Sequence, residues 1–406
     1  MRQFMNRMRP VWKLLVLLFL VVLTFSYAMF QGGFVSWFLF YSFLPFALYS
    51  LALVFYGVRH MTVKREFLKE EYHAGEKLKV KIKLKRPSSF PLFYMIIEDD
   101  LSNELLAPTQ KGQMKTFVYP HFRKEIDFEY VIESLPRGEH HLKGIHIKFG
   151  DPLGLIEKQI HIETEDDKLL VYPAYEEIIY RLMDNHYEQG MTASKERVQR
   201  DTSMAIGIRE YQPGDRYSWI NWKATAKRND IMTKEFEQRK SHDVFLMMDC
   251  APDIRFEAIV SFTASLVRGI LRKGAQVGLL TYGEERRLFP IQGGEGHQQQ
   301  LFYHLAKVKD RSPVALDAVL DSESFMMLQN ASFMLITSQL TKELVEKASQ
   351  FSMRTGMMTI YLLKEEQETI GSKEIALKSE ANSRGVRVVF VHNGQFSQAF
   401  SEVGRG

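Results

Sequence analysis

Two apolar runs open the chain. Leu14 to Phe30 carries no charged residue, Gln31-Gly32-Gly33 interrupts it, and Phe34 to Val58 is apolar again with Pro45 inside. A bilayer core takes roughly 20 helical residues, so the runs predict a transmembrane helical hairpin within 1–60, with spans over about 12–30 and 34–58. No small-residue cleavage site follows the first run, and a second run comes at once, which argues against a cleaved signal peptide. From Met61 the period falls to two. Lys77 to Lys85 alternates lysine with Leu78, Val80, Ile82 and Leu84, a strand with one apolar and one charged face. The lysine face reads as the solvated side of an edge strand, kept from aggregating by charge. Further strands are predicted at Phe93–Glu98, Lys115–Tyr119, Ile126–Ile132, His141–Phe149 and Leu155–Ile162, with turn signals such as Arg137-Gly138 and Gly150-Asp151-Pro152 between them. Many short strands and no long helical pattern predict an antiparallel β-sandwich over 61–173.

The texture changes again in a linker and signature segment over 174–243. Asp184 to Ser203 is polar and irregular and reads as a mobile loop, or as one that orders on a partner. Beyond it, Val244–Met248 is a continuous apolar run, as in a buried parallel strand. Phe256–Leu271 is an amphipathic helix, and strands and helices then alternate to Val386–Val391. That alternation predicts an α/β parallel-sheet domain over 244–406. Ligands on such sheets bind at the carboxyl ends of strands, which here carry Asp249, Thr281 and Thr337-Ser338.

The densest local pattern lies at Gly207-Ile208-Arg209-Glu210-Tyr211-Gln212-Pro213-Gly214-Asp215, followed by Trp219 and Trp222-Lys223-Ala224-Thr225-Ala226-Lys227. Pro-Gly-Asp is a turn, and Asp215 is placed to cap a short helix carrying Trp219, Trp222 and Ala226. Ile231 to Phe236 reads as a strand. REYxPGD, WKATAK and KEFE in this order resemble the signature of a large bacterial family of unknown function, number fifty-eight in the domain-of-unknown-function series. PRGEHHLKGIHIKFGDPLGL resembles the segment that precedes it. The resemblance implies a von Willebrand factor A-like domain after the signature. It also implies a MoxR-type AAA+ ATPase as partner, because genes of the family commonly lie beside one. It points to Arg209, Glu210, Tyr211, Pro213, Gly214, Asp215, Trp222 and Lys223 as a protein-interaction surface, but it supplies no reaction.

In von Willebrand A folds the strand edge often holds a divalent metal through Asp-x-Ser-x-Ser, a Thr and a second Asp. This chain has Asp249-Cys250-Ala251-Pro252-Asp253, and Ser338 stands near the second Asp position. Asp249, Asp253 and Ser338 are thus a degenerate metal site, since hard cations need several oxygen ligands and Ala251 has none. His140-His141 point to opposite faces of a strand and cannot readily share an ion.

Composition narrows the functional classes. Net charge is +4, too mild to argue for nucleic acid. The one cysteine, Cys250, excludes an internal disulfide and suits a reducing compartment. Arg2, Arg7, Arg9 and Lys13 precede the first span, and Arg59, Lys64, Arg65 and Lys69 follow the second. Both ends are therefore expected on the cytoplasmic side of a bacterial membrane, with residues 59–406 cytoplasmic. There is no Gly-Lys-Ser/Thr phosphate loop, no His-Glu-x-x-His and no nucleophile elbow. The expectation is a non-enzymatic, membrane-anchored cytoplasmic adaptor without cofactor. Two alternatives stand beside it. One is a metal-dependent hydrolase using Glu210, Asp215 and Asp249. The other is a binder of anionic lipid or nucleic acid through Arg216, Lys223, Lys227 and Arg228.

Overall fold

The computed structural model describes residues 2–58, 60–101, 115–180, 199–212, 217–228, 230–239, 243–322, 331–355 and 358–400. The chain divides into two compact units, Met1–Ala174 and Tyr175–Gly406.

The first unit begins with helices α1 (Arg2–Gln31) and α2 (Phe34–Phe55). Trp12–Gln31 and Phe34–Phe55 are long and apolar enough to cross a membrane. The tight connection needs Gly32, whose φ of 56° lies in the left-handed region. From Trp12 onward large apolar side chains face outward on both helices, Phe30 and Phe34 almost completely. The second helix stops at Phe55, short of the expected Val58. There Leu53 and Tyr56 turn into the β-rich core, and the Lys158 ammonium donates to the carbonyls of Val54 (2.8 Å) and Tyr56 (2.7 Å). A cation at a helix C-terminus satisfies carbonyls that have no partner in the helix.

Eight strands follow: β1 (Thr62–Phe67), β2 (Tyr72–His73), β3 (Leu78–Lys85), β4 (Tyr94–Leu101), β5 (Lys115–Val118), β6 (Glu125–Ile132), β7 (Gly138–Gly150) and β8 (Glu157–Tyr172). They form one sheet of order β1-β3-β6 and another of order β2-β8-β7-β4-β5. Their inner faces share one core, in which Leu78, Val80, Ile82 and Leu84 meet Met95, Ile97, Ile145 and Ile147. The lysine strand β3 is the central strand of its sheet, not the edge strand the sequence suggested. Three of its four lysines face acidic neighbours: Lys81 pairs with Asp127, Lys83 with Glu66 and Lys85 with Glu125. Alternation alone shows that one face is charged. It does not show that the flanking strands carry the opposite charge. Arg65, one of the basic residues after the second span, is fully buried against Asp99 at 2.6 Å. Tyr130 donates to the same carboxylate, and burial together with the Asp99 charge pushes its hydroxyl pKa far up. His140 is buried against the Pro136 carbonyl while His141 is exposed, the opposite facing that strand geometry requires.

In the second unit, Tyr175–Tyr180 lies across helix α4 (Phe256–Arg272). A Cβ on Gly269 would meet the Ile178 side chain at 2.9 Å, so glycine permits this close approach. Glu177 takes Arg268 and Arg272. Strand β9 (Gln199–Glu210), helix α3 (Trp222–Arg228) and strand β10 (Met232–Arg239) make up the signature segment, with β9 and β10 paired antiparallel. Residues 199–203, expected in an irregular loop, belong to β9; 184–198 lie outside the described residues. Then come β11 (Val244–Met248), β12 (Val277–Tyr282), β13 (Arg286–Gln292), α5 (Glu295–Lys307), α6 (Leu316–Ser322), β14 (Ser332–Thr337), α7 (Lys342–Thr355), β15 (Met358–Lys364), α8 (Ser372–Ser383) and β16 (Val386–His392). The sheet order is β13-β12-β11-β14-β15-β16, parallel except for β13, which runs antiparallel on β12. Counted from β11, this is the doubly wound order 3-2-1-4-5-6 with a reversed edge strand, a von Willebrand A-like arrangement. The winding reverses between β11 and β14.

Candidate functional site

In a doubly wound sheet the crevice beyond the switch point is the usual place for a ligand. Here that crevice is closed by the chain itself. Asp249, directly after β11, is buried; its Oδ1 accepts the Ala251 N–H at 2.9 Å, and its Oδ2 accepts the Thr337 hydroxyl, at the end of β14, at 2.7 Å. Asp253 accepts Arg255 Nε at 2.9 Å, Arg255 Nη2 at 3.0 Å and Gln339 Nε2 at 3.2 Å. The guanidinium holds the Asp253 carboxyl well below the usual carboxylate range. Arg255 also reaches Glu368 (3.2 Å), which shares the Lys364 ammonium (2.8 Å) with Glu374 (2.6 Å to Lys364). Burial opposes charge on Lys364, but the two carboxylates outweigh it and raise its pKa.

The donors at this edge do not fit a divalent cation. Both oxygens of Asp249 already accept protein hydrogen bonds. Both oxygens of Asp253 face a guanidinium, which fills the position with positive charge, and Ser338 is buried. Among the described residues no three of His, Cys, Asp and Glu are grouped to hold a metal ion. Thr281, the third strand-end residue, is engaged elsewhere, 2.7 Å from His304 Nε2.

The signature segment is built differently. Its short helix begins at Trp222, and the cap is Asn221, whose side-chain oxygen takes the Ala224 N–H at 3.3 Å. Asp215, expected as the cap, lies with Pro213, Gly214 and Arg216 outside the described residues. Thr225 ties the helix to the hairpin: its hydroxyl donates to the Asn221 carbonyl and accepts the Met232 N–H, both at 3.0 Å. Tyr211 N–H donates to the Ile231 carbonyl, and Asn221 N–H to that of Met232. Ile220, Met232 and Thr233 are buried beneath. The outer side is open: Trp222 is 69% exposed and Tyr217 79%, and Lys223, Lys227 and Arg228 are exposed beside them. Among the described residues these three cations make no ion pair. Arg209 stands opposite Thr233 in the hairpin and donates to the Glu210 carbonyl at 3.0 Å.

Of the residues marked by the sequence, Arg209, Glu210, Tyr211, Trp222 and Lys223 thus lie on one hairpin–helix element. Glu210 and Asp249 do not form a pair: the first is exposed at the end of β9, the second buried at the switch point, and no hydrogen bond or ion pair joins them among the described residues. Asn221 and Thr225 were missed as positioning residues. An Asn directly before a helical run was the available signal; the backbone bond made by Thr225 has no sequence signature.

The family model described as "Protein of unknown function DUF58" matches residues 207–405. The chain is 38% identical over 389 residues to the Bacillus subtilis (strain 168) "Uncharacterized protein YeaD", covering 95% of this chain and 97% of that one. Among solved structures, the SpRpn10 VWA domain is similar at 13% identity and a TM-score of 0.29, over 41% of this chain and 97% of that domain. Proximal thread matrix protein 1 of the mussel byssus is similar at 13% identity and a TM-score of 0.27, over 40% of this chain and 46% of that one. The strand order, and not these distant likenesses, defines the fold. The signature residues, the family match from Gly207 onward and a relative aligned over nearly the whole length together place the chain in the DUF58 family.

Proposed function

We propose that the protein is a membrane-anchored adaptor without catalytic activity, with the α1–α2 hairpin as its anchor, both chain ends in the cytoplasm, and the two-sheet unit as a β-sandwich spacer. In this reading the signature element is the docking surface for a MoxR-type AAA+ ATPase, and the assembly acts in protein maturation or remodelling. The observation that supports it most is the state of the signature element. Asn221 and Thr225 fix its backbone, while Trp222, Tyr217 and the exposed Lys223, Lys227 and Arg228, which make no ion pair among the described residues, project from it. An exposed Trp on a rigid support, ringed by long cationic side chains, has the composition of an interface anchor. The partner that suits it carries an acidic surface with an apolar pocket. The strand edge supports the same reading, because Asp253, Glu368 and Glu374 are engaged by the protein's own cations and Asp249 by the Ala251 N–H and the Thr337 hydroxyl.

The test is affinity capture of the full-length tagged protein from detergent-solubilised membranes, beside a Trp222→Ala variant confirmed to be folded. Capture of an AAA+ ATPase by the wild type, lost in the variant, is the expected result. Equal capture by both removes the signature from the interface. Capture of no ATPase by the wild type overturns the adaptor reading.

A further inference from the structure

We propose that two loops of the first unit, 86–93 and 119–124, form a rim that inserts aromatic side chains into the lipid headgroup layer beside the hairpin. The inference rests on the reading that α1 and α2 span a bilayer.

The depth of the rim follows from the hairpin. Phe25 and Phe40 touch, with ring centroids 5.5 Å apart, so residues whose numbers sum to about 65 lie level across the antiparallel pair. Lys13, the last charge before the first span, is therefore level with Ala52. Tyr49 lies three residues further into the apolar zone, about 4.5 Å at 1.5 Å per residue. Tyr49 carries the rim: its hydroxyl donates to the Pro91 carbonyl at 2.9 Å, and its ring packs on Phe90 (5.6 Å) and Phe93 (4.9 Å). Residues 90–93 are thus held at or above the level of the flanking lysine.

The second loop is fastened to the first. Leu92 and His121 exchange backbone hydrogen bonds at 3.0 and 3.2 Å. Arg86, only 2% exposed, donates to the carbonyls of Phe90, His121 and Arg123. Among the described residues it has no carboxylate partner. A buried guanidinium satisfied by carbonyls of two loops makes them one rigid piece.

What this piece presents has the chemistry of a membrane interface. Phe93 is 47% exposed, Tyr119 63% and Phe122 68%, while Arg123 and Lys124 are exposed next to Phe122. Aromatic rings at headgroup level with adjacent basic residues for the phosphates are what binds a bilayer surface. Continuity with the hairpin and this charge single out lipid as the occupant.

The experiment uses full-length protein in a Cys250→Ala background, reconstituted into phosphatidylglycerol–phosphatidylethanolamine vesicles. Nitroxides are placed on Phe122→Cys, with Tyr119→Cys as a second rim site, Phe25→Cys in the hairpin and Lys83→Cys on the outer face of β3. Collision with apolar oxygen and with a water-soluble nickel chelate reports depth. The rim labels are expected to lose nickel accessibility and gain oxygen accessibility relative to Lys83, with Phe25 deeper still. Rim labels as open to nickel as Lys83, with Phe25 in lipid, overturn the rim and leave the hairpin reading standing. A nickel-accessible Phe25 overturns both. Rim labels shielded from both reagents identify protein as the occupant and overturn the lipid assignment.

Discussion

Two regions of the second unit carry the residues that suggest function, and they have opposite character. The switch-point edge holds Asp249, Asp253, Arg255, Lys364, Glu368 and Glu374 in a closed network in which each charge meets a donor or an opposite charge. The signature element has a satisfied backbone but leaves Trp222 and its neighbouring cations open. A fold class says where ligands usually bind; it does not say whether that place is vacant. Here the customary crevice is filled from within, and the exposed aromatic and cationic side chains lie on a hairpin and short helix that the sheet topology alone would not mark.

The sharpest way to break this comparison is to open the closed edge. Arg255→Ala leaves the Asp253 carboxylate, 7% exposed, without its guanidinium and should cost about 3 kcal/mol of stability. Hydrogen exchange of the α4 amides in the full-length protein would measure it, and partner capture should persist. Loss of capture with an intact sheet would move the site to the edge. The same pair sets a pH dependence. The folded-state pKa of Asp253 lies below its ordinary 3.8, so its contribution is complete above about pH 4 and is lost as the pH falls through the folded value. The stability gap between wild type and Asp253→Asn should therefore be flat near neutrality and narrow below about pH 4.

Trp222→Ala is the complementary change. Its loss from an interface centre should weaken capture by about 2 kcal/mol, roughly 30-fold, while thermal stability stays within about 0.5 kcal/mol because the ring is mostly exposed. Thr225→Val should cost less, about 1 kcal/mol, by removing the acceptor of the Met232 N–H. Faster exchange of that one amide would show it. If Trp222→Ala unfolds the hairpin instead, the ring is structural and the contrast between the two regions fails.

Much of this was legible in the sequence, and what was not has physical reasons. Continuous apolar runs such as Val244–Met248 mark buried parallel strands because both faces are covered. Alternation at Lys77–Lys85 marks one wet and one dry face. Position within a sheet is a different matter: β3 is central because Glu66, Glu125 and Asp127 come from strands on both sides, a pairing set by tertiary contact. Ala251 in place of a serine already showed the metal motif to be degraded. That Arg255 occupies the opening depends on the geometry of Asp253, two residues away, and on Glu368, more than a hundred residues on.

The smallest expected effect concerns the lysines of β3. Lys81, Lys83 and Lys85 look like a basic stripe in sequence, yet each meets a carboxylate across the strand, Lys83 and Glu66 at 2.7 Å with both side chains nearly half exposed. Exposed pairs of this kind contribute about 0–1 kcal/mol and are screened by salt. Lys83→Ala should therefore leave thermal stability essentially unchanged. It should also leave vesicle association of the full-length protein unchanged in its salt dependence, because the neighbouring acids already cancel the field a lipid headgroup would feel. A clear loss of salt-sensitive association in this variant would mean that the ladder opens to receive anions. The face of β3 would then be a binding surface.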